Sequence, residues 1–318
     1  MNHANERNRV LVLMGGPDAE HEVSIQSGSE IARALRATRD YDVADEIIGR
    51  LSLDGLRGLF EAHRPDVVFP ALHGPWGEGG DLQELLEEAG ITYIGSRPRP
   101  ARLAMDKAAT KTLIEADRIP TPPWRILRID DPCDLEPPVV LKPVNDGSSV
   151  DLRICRSRQA VEEARQTLHQ KRQRLLAEQY IHGRELTVGI LCGEALPVIE
   201  ITPAVEFYDY EAKYTRHDTR YVVGPDLPAG VADRCRDHAL LAYRRLGCRD
   251  LARVDFLLDD RAAWLLEVNT MPGFTTHSLV PMAAAATGRD MPAICAELVE
   301  TALARSDIAP SPLFPARP

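Results

Sequence analysis

Short apolar runs alternate with amphipathic stretches over the first hundred residues of the chain. The runs at residues 10–14 and 67–69 are typical of buried parallel strands, and each run leads into a loop that contains glycine. After the second run, apolar residues recur at helical spacing across residues 82–89. This alternation predicts an open parallel α/β sheet, in which ligands bind at the carboxyl ends of the strands.

The pattern changes after residue 96. Pro98 and Pro100 interrupt the periodicity, and one helix is predicted from there to about residue 119. Strand-like runs then follow closely, at residues 139–141, 175–177, 186–191 and 198–201, which predicts largely antiparallel sheets. We therefore predict three domains, 1–96, 97–181 and 182–318, with a loose tail from about residue 307.

The last two strand-like runs, residues 252–258 and 264–269, are joined by a turn-prone Asp-Asp-Arg segment and predict a hairpin. Each run carries two polar residues spaced two apart, so that each pair projects from one face of its strand. Pairing of the strands would bring these four side chains together: Arg253, Asp255, Glu267 and Asn269. The interleaved apolar residues are expected to pack on the opposite face: Val254, Phe256, Leu266 and Val268.

Carboxylate and amide oxygens are hard ligands that suit Mg²⁺, and the hairpin has no histidine or cysteine to favour zinc. Two like charges about 4 Å apart repel by roughly 4 kcal/mol at an effective dielectric constant near 20, so this surface favours a bound cation. The alternative is a pair of exposed edge strands joined by salt bridges.

Three further segments offer chemistry for a nucleotide site. Residues 142–150 follow a strand and supply a lysine, a glycine and two hydroxyls, which are phosphate-binding groups, although the segment lacks the P-loop spacing and could be a plain turn. Lys107 is a second candidate, with a solvated surface lysine as the alternative. Residues 207–214 are aromatic and charged and predict a loop that closes over a site, or an aromatic turn packed in the core.

Composition narrows the class of protein. The 318-residue chain has 38 Lys plus Arg against 48 Asp plus Glu, and this net charge of -10 disfavours binding to nucleic acid or to an anionic membrane. The N-terminus lacks the apolar core of a signal peptide, so we predict a cytoplasmic protein. Six scattered cysteines without a CxxC pair suggest neither a zinc site nor a disulfide framework.

Taken together, these motifs resemble the D-alanine–D-alanine ligases of the ATP-grasp superfamily. The resemblance runs in order from about residue 10 to 288, through residues 15–24, 71–74, 105–107, 142–150, 207–214, 253–255 and 267–281. It implies an α/β (α+β) chain of three domains, in which an open parallel α/β sheet is followed by two largely antiparallel-sheet domains that clasp ATP.

The resemblance also implies an activity. The enzyme would join two D-alanines into D-alanyl-D-alanine through a D-alanyl-phosphate, release ADP and phosphate, and serve peptidoglycan precursor synthesis. The implied ATP-binding residues are Lys107, Lys142, Ser148, Ser149, Glu178, Gln179, Tyr180, Ile181, Glu185, Lys213 and Asn269. Two Mg²⁺ or Mn²⁺ ions per active site would be held by Asp255, Glu267 and Asn269.

For the amino-acid substrate, the resemblance implies that Glu20 pairs with the ammonium of the first D-alanine, with His73 nearby. Ser148 and Tyr214 would hydrogen-bond with Glu20 to close a lid, and this tyrosine favours an amine nucleophile over a hydroxy acid. The carboxylate of the second D-alanine would be held by Ser278 and the Leu279 backbone, and the tetrahedral oxyanion by Arg253 and the Gly273 N–H. Homodimers through the N-terminal domain are a further implication.

Two positions depart from the family pattern. Asp151 stands where glycine usually follows Gly-Ser-Ser-Val, and Gly79 stands where aspartate usually follows Gly-Glu. An aspartate adopts positive φ less easily than glycine and adds negative charge near the nucleotide. One alternative is an ATP-grasp ligase for a different amino or hydroxy acid, which would share the metal and phosphate residues; the residues that speak against it are Glu20, Tyr214, Ser278 and Leu279. The other is a nucleotide-binding protein in which Asp151 helps to abolish turnover; the residues that speak against it are Arg253, Asp255, Glu267 and Asn269.

Overall fold

The computed structural model describes residues 7–147, 151–202 and 219–305. The first part of the chain forms a three-stranded parallel sheet in the order β2-β1-β3, which confirms the predicted parallel α/β arrangement. Its strands are β1 (Asn8–Gly15), β2 (Tyr41–Ile48) and β3 (Val67–Pro70). Its helices are α1 (His21–Thr38), α2 (Leu53–His63), α3 (Gly74–Gly77) and α4 (Asp81–Glu88).

The central strand β1 explains how this sheet presents a loop to a site. Its apolar run, residues 10–14, is at most 1% exposed because both faces of the sheet are covered. The strand ends at Gly15 and Gly16, whose φ values of 93° and 87° favour glycine. A Cβ added to Gly15 would lie 2.9 Å from the Ile48 carbonyl oxygen. The chain can therefore turn sharply here toward Glu20 and α1.

The second sheet has four antiparallel strands in the order β4-β7-β5-β6. Its elements are α5 (Pro98–Met105), α6 (Lys107–Ala116), β4 (Trp124–Leu127), β5 (Val139–Pro143), β6 (Arg153–Cys155), α7 (Arg158–His169) and β7 (Leu175–Gln179). The prediction of one helix after residue 97 is wrong, because Asp106 has extended backbone angles and separates α5 from α6. The Asp106 side chain accepts a hydrogen bond from the Ala109 N–H at 2.9 Å and so caps α6.

The third sheet has the order β11-β10-β8-β12-β13, with the short β9 paired to β8, and all of its described pairings are antiparallel. Its strands are β8 (Arg184–Leu191), β9 (Glu194–Ala195), β10 (Ile199–Thr202), β11 (Arg220–Val223), β12 (Leu251–Leu258) and β13 (Ala263–Asn269). The remaining helices are α8 (Val231–Leu246), α9 (Leu279–Ala285) and α10 (Met291–Leu303).

The last described helix packs against the first sheet. Ile294 and Leu298 of α10 share one buried core with Val10 of β1 and Ile31 of α1. A polar contact supports the same arrangement, since Asp250 accepts a hydrogen bond from the Gly95 N–H at 2.6 Å and forms an ion pair with Arg305. The first and third sheets are therefore joined by a shared core and by the buried hydrogen bond from Gly95 to Asp250.

The β12–β13 hairpin is confirmed, but one of its residues faces the other way from the prediction. Asp255 lies opposite Glu267, whereas Phe256 lies opposite Leu265, so Leu266 is the extra residue of a β-bulge. Leu265 is fully buried, and Leu266 lines a cleft instead of packing with Val254 in the core. The bulge resets the alternation and keeps Glu267 on the cleft side.

Candidate active site

A cleft of about 1020 Å³ of empty volume lies between the second and third sheets. It is lined by ten residues that were predicted to belong to the site: Lys107, Lys142, Glu178, Gln179, Tyr180, Ile181, Glu185, Arg253, Asp255 and Glu267. Half-buried apolar residues such as Val140, Leu257 and Leu266 complete the lining. A concave site with apolar walls and a few converging charges is typical of a small-molecule pocket.

Lys107 lies at the end of the cleft nearest the hairpin. It is only 6% exposed, and its Nζ donates to the Asp146 carbonyl at 2.6 Å. The same ammonium lies 3.2 Å from Glu267 Oε2. The helix α6 therefore directs this lysine into the cleft, and the surface-lysine alternative is wrong.

The second predicted lysine, Lys142, lies in β5 and contacts Glu178 Oε2 of the adjacent strand β7 at 2.5 Å. The other oxygen, Glu178 Oε1, lies 2.5 Å from the Nζ of Lys111. Burial by itself raises the pKa of Glu178, but the two ammonium groups outweigh burial and lower the pKa to about 2. Glu178 is therefore a buried carboxylate that stays ionised.

The position of Lys111 next to the site was not predicted from the sequence. It is fully buried on α6, one turn after Lys107. The spacing of four residues places both lysines on one face of the helix, and that spacing is the signal that was available.

The polar residues of the hairpin converge as predicted. Asp255 accepts from Arg253 Nε at 2.9 Å and Arg253 Nη2 at 2.8 Å, which makes a bidentate pair. Asn269 Nδ2 donates to the same carboxylate at 3.1 Å, and the Thr187 hydroxyl donates to it at 2.7 Å. Asp255 is therefore fixed from both neighbouring strands.

The donor set of the hairpin fits a hard divalent cation. Asp255 and Glu267 face each other across the strands, and Asn269 adds an amide oxygen. Over the described ranges, no group of three or more His, Cys, Asp or Glu side chains is arranged to hold a metal. Two carboxylates and one amide are few ligands, which suits Mg²⁺ or Mn²⁺ because such ions complete their shell with phosphate oxygens and water.

A second, smaller chamber adjoins the cleft and shares Arg253 and Glu267 with it. The first sheet contributes Glu20, His73 and Glu78 to its wall, and the segment after β13 contributes Gly273. The chamber is smaller than the cleft, with about 360 Å³ of empty space that includes its open mouth. Predicted substrate residues from distant parts of the sequence therefore meet here.

His73 is a neutral, buried member of this chamber. Burial lowers its pKa, and this effect outweighs the opposing charge of Glu20. Its Nδ1 lies 3.0 Å from the Met271 carbonyl, so Nδ1 carries the proton and donates. The ring's Nε2 is then an acceptor and lies 3.4 Å from the Ser27 hydroxyl.

Glu78 is a second residue of the site that sequence reasoning missed. Its two oxygens accept hydrogen bonds from the Gly74 N–H at 3.2 Å and the Met271 N–H at 3.1 Å. Burial, with a further contribution from the charge of Glu20, raises its pKa to about 8. Its position in a glycine-rich segment after β3 was visible in the sequence, but its burial was not.

Gly273 and Ser278 lie in one tight turn. A Cβ added to Gly273 would lie 2.9 Å from Ser278 Oγ, so a side chain would displace that hydroxyl. Ser278 Oγ accepts from the Thr275 N–H at 2.8 Å, and Leu279 follows as the first residue of α9. The Ser27 hydroxyl accepts from the Phe274 N–H at 3.1 Å and attaches this turn to α1.

Four predicted site residues lie outside the described residues: Ser148, Ser149, Lys213 and Tyr214. The predicted closing loop at residues 207–214 and the predicted tail from about residue 307 also lie outside them. The described edge of the first loop is informative, because a Cβ added to Gly147 would lie 3.5 Å from Glu20 Oε2. The described end of this loop, Gly147, therefore lies beside the Glu20 chamber.

Both departures from the family pattern have a structural explanation. Asp151 has a left-handed backbone, with φ 58°, and its carboxylate lies 3.5 Å from Arg172, which also pairs with Asp146. The expected charge near the nucleotide is thus offset by an arginine. At Gly79, an added Cβ would lie 2.1 Å from the Pro75 carbonyl oxygen, so this backbone accepts only glycine.

Two antiparallel sheets that enclose a cleft lined by lysines and carboxylates agree with the ATP-grasp architecture that the sequence resemblance implies. The family model described as D-ala D-ala ligase C-terminus matches residues 129–300, and that described as D-ala D-ala ligase N-terminus matches residues 48–96. The chain belongs to the D-alanine–D-alanine ligase family.

Individual relatives agree with this assignment. A D-alanine–D-alanine ligase of Acidiphilium cryptum is 43% identical over 304 residues, which cover 93% of this chain and 99% of the relative. One of Dechloromonas aromatica is 41% identical, covering 92% of this chain and 97% of the relative. The crystal structure of a Bacillus anthracis D-alanine–D-alanine ligase complexed with ATP has a TM-score of 0.81 and 33% identity, and the match covers 94% of this chain and 98% of that one.

None of the described helices is both long enough and apolar enough to cross a membrane. The described cysteines are all free thiols, four of them buried.

Proposed function

We propose that the protein joins two D-alanines into D-alanyl-D-alanine, with ATP converted to ADP and phosphate, for peptidoglycan precursor synthesis. One observation carries this proposal: the cleft lined by the lysines adjoins, at Arg253 and Glu267, a smaller chamber walled by Glu20, His73 and Gly273. A phosphate donor and an amino acid would therefore meet at the hairpin. Family membership and the relative complexed with ATP support the same reaction.

ATP would lie in the cleft, with its base near β7 and its phosphates toward the hairpin. The adenine hinge would be formed by Glu178, Gln179, Tyr180 and Ile181, and Glu185 would hold the ribose. Lys107 and Lys142 supply positive charge for the phosphates, assisted by Ser148, Ser149 and Lys213. Asp255, Glu267 and Asn269 would hold Mg²⁺ or Mn²⁺, two ions per site, which neutralise phosphate charge when bound.

The first D-alanine would occupy the chamber with its ammonium on Glu20 and near His73. Its carboxylate oxygen attacks the γ-phosphorus of ATP, which breaks the bond to the β-phosphate oxygen and gives D-alanyl-phosphate and ADP. Ser148 and Tyr214 would close the site with Glu20, which keeps water from this reactive anhydride.

The second D-alanine would bind through its carboxylate to Ser278 and the Leu279 N–H. Its neutral amine attacks the acyl carbon, and the tetrahedral oxyanion is stabilised by Arg253 and the Gly273 N–H. The nitrogen loses one proton, and collapse breaks the carbon–oxygen bond, so that the dipeptide forms and inorganic phosphate leaves with that proton. Asp255 holds Nε and Nη2 of Arg253 and so orients the guanidinium in the wall of the chamber.

We also propose the cellular and architectural setting that the family implies. The protein would be cytoplasmic and homodimeric, with domains at residues 1–96, 97–181 and 182–318. Each of the three sheets lies within one of these segments, which supports the division.

Phosphate release from ATP and Mg²⁺ tests the activity, with D-alanine, L-alanine, or D-alanine plus D-lactate as the substrate and with the products identified by mass spectrometry. We expect release that depends on D-alanine and yields the D,D-dipeptide. Formation of an ester or of a mixed product would instead assign the enzyme to another acceptor. Tight ATP binding with no release on any substrate would contradict the proposal.

A further inference from the structure

Lys111 is a fully buried lysine next to the nucleotide cleft, but it does not line the cleft. A buried ammonium is costly unless it is paired and hydrogen-bonded, so its partners indicate why it is there. None of the steps described above uses this residue. It is therefore a charged group near the site with a role still to be assigned.

The contacts of Lys111 join the two sheets that enclose the cleft. Its Nζ lies 2.5 Å from Glu178 Oε1 on β7 and donates to the Thr121 hydroxyl at 2.5 Å. That hydroxyl in turn donates to the Leu265 carbonyl of β13 at 2.8 Å. Because a hydroxyl has a single proton, the direction of both hydrogen bonds is determined. The ammonium is thus held at one point between β7 and β13.

The same contacts orient the Glu178 carboxylate. One oxygen faces Lys111 and the other faces Lys142, each at 2.5 Å. Glu178 is 3% exposed and lines the cleft beside Gln179, Tyr180 and Ile181. A carboxylate has about four acceptor positions, so it retains acceptor capacity toward the cleft after pairing with both lysines.

We propose that Lys111 is a positioning residue for nucleobase selection. It holds the Glu178 carboxylate as a fixed acceptor for the exocyclic amine of adenine, and so disfavours a base that carries a carbonyl oxygen at that position. This inference rests on the proposed binding of ATP in the cleft. A fixed, ionised acceptor repels a carbonyl oxygen, whereas a carboxylate that is free to turn away discriminates less.

ATP and ITP provide the matched pair of probes, since inosine replaces the adenine amine with a carbonyl. We expect Lys111→Met to lower the ratio of kcat/KM for ATP to that for ITP by about tenfold, mostly through a higher KM for ATP. The kcat should stay within a few-fold, because Lys111 contacts neither phosphate nor D-alanine. Lys171→Met makes the same chemical change at an exposed position after α7 and should leave the ratio unchanged.

The same substitution made in a Glu178→Gln variant shows whether Lys111 acts by positioning the carboxylate or by supporting the structure in general. In Glu178→Gln, the further change Lys111→Met should leave the ATP-to-ITP ratio unaltered, because its action runs through the carboxylate. An unchanged ratio in the single variant, or an equal fall in both backgrounds, would overturn the proposal. If Lys111→Met does not fold, Thr121→Val removes the anchor of the ammonium and should shift the ratio in the same direction by a smaller factor; no shift would equally refute it.

Dissociation constants for ATP and ITP, measured by titration calorimetry, provide a readout that does not depend on turnover. A wild-type enzyme that binds ATP but makes no dipeptide would count against the proposed function alone. The Lys111 inference would still be decided by the ratio of the two dissociation constants in the wild type and in Lys111→Met.

Discussion

Asp151 ends the glycine-serine loop in a left-handed backbone conformation, where the family pattern has glycine. This conformation costs roughly 1–2 kcal/mol for most residues, and aspartate is one of the few that adopt it routinely. Arg172 lies beside both Asp151 and Asp146 and so spans the described edges of the loop. The sequence indicated a strained position, and the structure adds the arginine that offsets the charge.

The pair of substitutions Asp151→Ala and Asp151→Gly separates backbone strain from the ion pair. Both remove the contact with Arg172, but only alanine retains the left-handed penalty, so Asp151→Ala should be less stable than Asp151→Gly by about 1 kcal/mol. Urea denaturation at pH 7 measures the difference. Equal stability of the two variants would contradict the assigned backbone conformation.

Individual site residues could be predicted where their type and their spacing in the sequence indicate a ligand. Asp255, Glu267 and Arg253 follow from spacing along a hairpin, and the structure brings them together. Lys111 and Glu78 were missed, because whether a charged side chain is exposed or buried depends on packing between sheets that are distant in sequence. Burial raises the pKa of both Glu178 and Glu78, but the contacts with Lys111 and Lys142 reverse the shift for Glu178.

At the scale of elements, the β12–β13 hairpin was predictable and its bulge was not. Alternation alone places Leu266 with the core, but the bulge moves it to the cleft wall and puts Leu265 in the core. A bulge depends on how two paired strands fit under the other elements, and no local pattern in this sequence signals it. Similarly, the break between α5 and α6 depends on the Asp106 cap within one continuous amphipathic pattern.

The hairpin's proposed role as a metal site predicts a specific defect in Glu267→Gln. Loss of one carboxylate ligand should raise the Mg²⁺ concentration for half-maximal activity by more than about tenfold. Glu163→Gln makes the same exchange on the exposed face of α7 and serves as the control. Titration of Mg²⁺ at saturating D-alanine measures the effect, and an unchanged Mg²⁺ requirement would contradict the assignment.

Glu78 connects the loop after β3 to the segment after β13, and its ionisation predicts a pH dependence of stability. Its folded-state pKa, about 8, is raised from the ordinary 4.5, so the folded protein binds this proton more tightly than the unfolded chain. The contribution of Glu78 to the free energy of unfolding is therefore fully present below about pH 4.5 and is lost as pH rises through about 8.

Glu78→Gln should remove this dependence. Between pH 5 and pH 8 the wild type should lose at least about 1 kcal/mol of stability relative to the variant, since one unit of pKa shift corresponds to about 1.4 kcal/mol. Urea denaturation of both proteins at each pH provides the measurement. Parallel stability profiles would show that Glu78 is ionised in the folded protein over this range.

At the scale of the whole molecule, the order of the sheets along the chain could be predicted. Whether each sheet is parallel or antiparallel could be predicted as well. The change from an alternating strand-helix pattern to closely spaced strands marks the transition from parallel to antiparallel sheets. The return of α10 to the first sheet was not predictable, because an apolar helix face shows that it is buried but not which surface covers it. This return holds the first sheet against the third and so places Glu20 beside the hairpin.

The central claim is that a carboxylate in the Glu20 chamber attacks a phosphate in the cleft. D-Alanine labelled with ¹⁸O in its carboxylate tests it directly, by mass spectrometry of the phosphate released with ATP and Mg²⁺. The account predicts one ¹⁸O atom in each phosphate and one fewer in the first residue of the dipeptide. Unlabelled phosphate formed alongside the dipeptide would contradict it, because activation would then have bypassed the acyl-phosphate.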